Sequence, residues 1–284
     1  MAKLTFLGAG LIGAGLAEAA IGRGDEVTVY NRTREKTAPL AALGARVADT
    51  PAAAIVGAER SHVGLTDDAA GDAGLADCGE GLDGALVIDH STTSPAGAAA
   101  RARALAARGV HFLHAPVFMS PAGCRRAQGM MLCSGPRAIY DGAAEALAAM
   151  TGSVRYLGED PSRAAAYKLF GNAMLIAVIG GLADIFQMAR GLEIDPAAAL
   201  GLFDAFNPLV VLQYRGKAMA AGDFTPGFEL AMARKDVRLM LGCMGERESA
   251  VLRAIAARMD ALIAAGHGAE DLGILGADLP ARAD

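Results

Sequence analysis

The chain has 284 residues, enough for two domains of ordinary size. Its 26 Lys and Arg against 31 Asp and Glu leave a net charge of −5, so it carries no overall basic field for nucleic acid. With 53% hydrophobic and 20% charged residues it is no disordered chain, and without Trp and with 5% aromatics it is poor in stacking platforms for bases.

Residues 4–7, a short apolar run stopped by Gly8, read as a strand, and residues 11–21, rich in Ala and Leu, as a helix. Residues 27–30 are β-branched and aromatic and predict a second strand; residues 35–43 predict a helix closed by Gly44. Apolar runs at 61–63, 85–88 and 110–113 each follow an Ala-rich segment, and residues 154–157 read as a last strand. Repeated strand–helix units of this length predict a parallel sheet covered by helices.

The pattern changes at Asp160-Pro161-Ser162. Residues 163–192 lack proline and suit one helix of thirty residues, far above the mean of about 11–12, which is expected to lie buried between two domains. Helices are predicted near 196–206, 210–220, 228–243 and 249–265, with no strand among them. The predicted fold is therefore α/β. A doubly wound dinucleotide-binding domain over 1–160 leads through the long helix into an all-helical domain over 161–284.

Cys78, Cys124, Cys133 and Cys243 form no CxxC pair and no metal-ligand spacing with histidine, so neither a metal site nor a disulfide framework is expected. That usage fits a reducing cytoplasm. The few residues before the first glycine contain no signal-peptide core. The uncharged stretch 169–183 falls short of the ~20 residues that span a bilayer, so no membrane partner is expected.

Gly8-Ala9-Gly10-Leu11-Ile12-Gly13 is a G-x-G-x-x-G motif that follows a strand and opens a helix. In that setting Gly8 permits the turn, Gly10 lets a pyrophosphate approach the backbone, and Gly13 lets helix and strand pack closely. The amides of Leu11 and Ile12 at the helix start then face the anion. An acid at the end of the second strand would select NAD; this chain has Asn31-Arg32-Thr33 there. Removing the carboxylate removes repulsion against a 2′-phosphate, Arg32 can pair with it, and Arg34 or Lys36 can help, so NADP is the expected cofactor. Leu65, after the 61–63 run, completes this cofactor group.

Lys168 and Asn172 stand four apart on the long helix and share one face. Ala164, Ala165, Ala166, Leu169 and Phe170 around Lys168 are apolar, and a partly desolvated lysine can act as acid or base near neutrality. Asn172 can hold the ammonium or a substrate.

Beyond these residues the chain resembles the β-hydroxyacid dehydrogenase family over nearly its whole length. The resemblance is carried by the glycine loop, Asp89-His90-Ser91-Thr92-Thr93-Ser94-Pro95, His114-Ala115-Pro116-Val117, the Lys168/Asn172 pair, and residues 228–236 with Lys235-Asp236. It implies Lys168 as general acid/base, Asn172 as a substrate contact, Ser91 and Thr92 near the nicotinamide, and Lys235 reaching cofactor and substrate from the helical domain. It also implies a homodimer or higher homo-oligomer. The function so implied is interconversion of a small β-hydroxyacid with its aldehyde, semialdehyde or keto form. The chain departs from the family where substrate carboxylate is held: Phe118-Met119-Ser120-Pro121 stands in place of Ser-Gly-Gly. Ser120 and the backbone amides near Ala122-Gly123 are placed to rebuild that contact, Arg125 and Arg126 are expected on a helix surface, and His114 is expected to be a structural hydrogen-bonding residue. An imine reductase of the same architecture and a non-catalytic NADP-binding regulator are the alternatives; Lys168 counts against both.

Overall fold

The computed structural model describes residues 1–278. Its chain divides into two compact units, Met1–Asn172 and a second beginning at Ala173, so the division falls inside the long helix rather than ahead of it at 160. The first unit begins with β1 (Lys3–Leu7), α1 (Leu11–Gly22) and β2 (Glu26–Tyr30), then α2 (Ala38–Ala42), β3 (Arg46–Val47) and α3 (Pro51–Ile55). There follow β4 (Arg60–Val63), α4 (Asp68–Ala76), β5 (Leu86–Asp89), α5 (Pro95–Ala106) and β6 (His111–His114). The six strands form one parallel sheet in the order β3-β2-β1-β4-β5-β6. The order reverses between β1 and β4, where the outgoing loops diverge and open a crevice at the carboxyl edge.

The sheet is buried on both faces, which is why its strands are apolar runs rather than alternating ones. Leu4, Phe6 and Val29 pack with Leu16, Ala17 and Ala20 of α1 on one side; Leu7, Val63 and Val87 pack with Leu75 and Leu105 on the other. The single helix expected over 35–43 is broken. A 3-10 turn over Arg34–Thr37 precedes α2, because Pro39 has no N–H for the helix ladder and its ring collides with the carbonyl one turn back.

After the sheet come β7 (Val117–Phe118), α6 (Pro121–Arg125), β8 (Met130–Cys133), α7 (Arg137–Ala148) and β9 (Ser153–Tyr156). The three strands make a second sheet, with β7 antiparallel and β9 parallel to β8. The strand expected at 154–157 is β9. β3 and β7 are too short to leave a periodic signal, and β8 is built of Met, Leu and Cys without a β-branched residue.

The long helix is α8 (Ser162–Gly191). It is followed by α9 (Pro196–Leu200), α10 (Val211–Ala221), α11 (Leu230–Met244) and α12 (Leu252–Ala264). Among the described residues the second unit holds no strand, only an isolated bridge between Glu229 and Asp271. Leu230, Ala233 and Val237 of α11 pack on Ala256, Met259 and Leu262 of α12. Buried Asp184 closes the start of α12, accepting from the Ser249 hydroxyl at 2.8 Å and from the Val251 and Leu252 amides at 3.1 and 2.8 Å.

Two expectations about α8 are corrected. A single chain leaves its apolar face largely uncovered, with Phe170, Ile176 and Ile179 each about two-thirds exposed, instead of burying it. The helix is also long and apolar enough to cross a membrane by length and composition, with a mean hydropathy of 1.9 over its most apolar stretch. The helix also holds the charge-bearing Asp184, tied to residues 249–252.

Candidate active site

The crevice at the β1/β4 switch is made by glycines. Gly8 has φ +106°, and a Cβ on it would overlap the Gly64 carbonyl; a Cβ on Gly13 would overlap the Gly8 carbonyl. Gly8 and Gly13 therefore set how closely the loop, α1 and the turn after β4 approach. Gly10 is different: a Cβ there would meet nothing within 4 Å, so it faces open space at the start of α1. As the N-cap of α1 it makes no side-chain cap, which leaves first-turn amides free for an anion. A pyrophosphate fits this cradle.

Gly8, Gly10, Asn31, Arg32, Thr33 and Leu65 line the same crevice, joined by Lys36, Gly64 and Thr66. The Asn31 side chain accepts from the Ala9 amide at 2.9 Å and donates to the Thr33 carbonyl at 2.8 Å, tying the glycine loop to the end of β2. Its part is to shape the site. Arg32, Thr33 and Lys36 are exposed at the rim, whereas Arg34 pairs with Asp49 and does not line the crevice. Leu11 is exposed and Ile12 packs against the core, so these two offer the crevice main-chain amides rather than side chains.

Further along the carboxyl edge, Ser91 is buried and its hydroxyl accepts from the Leu65 amide at 2.9 Å, while Thr92 is exposed just past β5. Behind them lies a polar cluster that sequence reading missed. His62 and His90 are stacked and share a 3.0 Å contact between Nδ1 and Nε2; His90 Nδ1 also donates to the Ala115 carbonyl at 2.7 Å. Arg101 reaches Asp89 at 3.1 Å, Asp72 at 2.8 Å and Asp68 at 3.1 Å. His114 is fully buried, with Nδ1 3.7 Å from Asp89. Burial lowers the pKa of His62 and His90. Burial would raise Asp89, but His114 and Ser91 beside it outweigh that and hold it at about 2. The available signal was a histidine in or just after each of β4, β5 and β6.

The His90–Ala115 bond holds the chain as it leaves β6, and three residues later Phe118 meets α8. Lys168 Nζ lies 4.0 Å from the centroid of the Phe118 ring. Burial pushes the Lys168 ammonium below its ordinary pKa. Asn172, one turn on, is likewise half-buried, and a Cβ on Gly171 between them would overlap the edge of the Phe118 ring. Ser120 caps α6, its hydroxyl accepting from the Gly123 amide at 3.0 Å. Lys235 lies on α11 in the second unit, exposed and paired with Asp236 at 3.0 Å.

The strand, glycine loop and parallel sheet lie in a segment that also matches a known domain. Residues 3–158 match the NAD binding domain of 6-phosphogluconate dehydrogenase. The chain belongs to the β-hydroxyacid dehydrogenase family. An uncharacterized oxidoreductase, YfjR, of Bacillus subtilis is 31% identical over 247 residues, 84% of this chain and 85% of its own. Glyoxylate/succinic semialdehyde reductase 2 of Arabidopsis thaliana is 28% identical over 95% of this chain and 76% of its own. Among solved structures, a reductive aminase from Aspergillus terreus in complex with NADPH4, cyclohexanone and allyl amine aligns with a TM-score of 0.89 at 25% identity. That alignment covers 96% of this chain and 98% of the aminase. Like other β-hydroxyacid dehydrogenase family members, the chain is an NAD(P)-dependent oxidoreductase with a parallel-sheet cofactor domain and a helical C-terminal region.

Proposed function

We propose that the protein is an NADP-dependent oxidoreductase that interconverts a small hydroxy compound with its aldehyde, semialdehyde or keto form. The observation that carries this reading is Lys168, half-buried on α8, where burial lowers its pKa. When bound, the nicotinamide supplies or accepts the hydride. Lys168 donates a proton to the forming alkoxide oxygen in reduction and removes it in oxidation. Asn172, on the same helix face, orients the substrate. Arg32, Thr33 and Lys36, exposed on the crevice rim, support NADP over NAD. The uncovered apolar face of α8 supports the homodimer that the family resemblance implies; light scattering that returns a monomer mass would overturn it.

Imine reduction is the second reading, favoured by the likeness to the reductive aminase structure. One experiment separates the readings: NADPH oxidation across semialdehydes, glyoxylate, keto acids and cyclic imines, with wild type and Lys168→Met. The hydroxy-compound reading expects carbonyl turnover that falls by about 10²–10⁴ in Lys168→Met while NADPH affinity is unchanged. Retained carbonyl turnover in the variant would overturn the role of Lys168. Turnover of imines alone would favour the second reading.

A further inference from the structure

The segment that follows β6 gives the Lys168 surroundings an unusual chemistry. Phe118, at the end of β7, lays its ring over the Lys168 ammonium at 4.0 Å. Its seat depends on Gly171, because any side chain there would intrude on the ring edge. The ring is half-buried, so one side covers α8 and the rest is free to meet a bound molecule.

Within this segment the cationic side chains are already engaged. The Ser120 hydroxyl accepts the Gly123 amide as the α6 cap, and Pro121 has no N–H to give. Arg125 is paired with Glu18, and Arg126 donates to Gln128 at 3.2 Å. This segment therefore offers Lys168 an aromatic face and no second cation. A carboxylate brought against the side of the ring away from Lys168 meets the negative face of the ring quadrupole and gains no hydrogen bond from it for the water it loses. A carboxylate that reaches Lys168 itself occupies the proton donor that the carbonyl oxygen needs.

We propose that Phe118 is a specificity-determining residue that fits this site to an uncharged carbonyl compound with an apolar substituent beside the reacting carbon, against the isosteric carboxylate. The proposal rests on the reading of Lys168 as acid/base and narrows its substrate class. Phe118 contributes the apolar wall; Lys168 keeps its proton for the carbonyl oxygen.

Matched aldehydes test it. Glyoxylate and isobutyraldehyde have the same shape and differ by a carboxylate for an isopropyl group, as do succinic semialdehyde and 4-methylpentanal. With NADPH, wild type should show kcat/KM at least tenfold higher for the neutral member of each pair. Phe118→Ser should cut that ratio at least tenfold, while Phe118→Tyr, which keeps the ring, should preserve it. The same ratios read as dissociation constants from NADPH fluorescence need no turnover. Should Phe118→Ser not fold, Gly171→Ala displaces the ring from the helix side and must move the ratio in the same direction. A wild-type preference for the carboxylate members, or a ratio unmoved in both variants, overturns the proposal. Lys168→Met distinguishes the underlying reading: if it turns over as wild type, the acid/base role fails, whereas the binding ratios still judge Phe118 by themselves.

Discussion

Two stretches at the carboxyl edge of one sheet are shaped by opposite means. The loop after β1 works through main chain, where Gly8 and Gly13 fit only because they lack a Cβ and Gly10 leaves amides open to solvent. The stretch after β6 works through side chains: Phe118 on Lys168, Ser120 as a cap, Arg125 and Arg126 held by neighbours. Recognition by main chain needs glycine at fixed spacing and resists change, since a side chain at Gly8 or Gly13 strikes backbone. Recognition by side chain can be redirected by one substitution while the backbone path stays, which lets a common cofactor site serve different substrates.

Substitutions can break or sharpen that contrast. Gly13→Ala sets a methyl into the Gly8 carbonyl, which cannot move without deforming the loop. We expect a loss of about 3 kcal/mol in denaturant unfolding and no measurable NADP binding. Arg32→Ala should weaken NADPH binding about tenfold, about 1.4 kcal/mol, with NADH binding and thermal stability unchanged; an equal loss for both cofactors would deny Arg32 its role in selection. Gly171→Ala is as crowded as Gly13→Ala on paper, but the obstacle is the far edge of the Phe118 ring, which can rotate away. It should cost less than about 1 kcal/mol, and a loss as large as that of Gly13→Ala would erase the distinction between backbone and side-chain obstacles.

The smallest effect expected near neutrality is on pH dependence, from the polar cluster behind both stretches. His62 and His90 have folded pKa values below the ordinary one, so the unfolded chain takes up protons first. Stability should hold above about pH 6.5 and fall as pH drops below it. Asp89, held at about 2, adds a contribution present above its ordinary pKa and lost as pH falls toward 2. A melting temperature flat from pH 8 to 5 would show that the histidines titrate alike in both states.

Much of this was legible beforehand. The glycine loop, the absent acid at Asn31, the thirty-residue helix and the Lys168/Asn172 spacing are local features, and the structure keeps each within a turn of its expected place. Phe118 and Met119 could be read as a more apolar wall, but not that the ring would settle on Lys168 or that Gly171 would make room for it. Those pairings join residues some fifty positions apart. Nor could the His62–His90–Asp89–Arg101 cluster be read, since adjacency of β4, β5 and β6 in the sheet creates it.

The sequence by itself determined where most strands of the parallel sheet and the long helix fall, because hydrophobic period, glycine and proline act over a few residues. It also determined the cofactor class, because that site is written in missing side chains. Only the tertiary structure decided what surrounds Lys168 and which arginines are already paired. It also decided how much of α8 one chain covers. Those outcomes depend on contacts between distant segments, whose net energies arise from packing and desolvation that no local window contains.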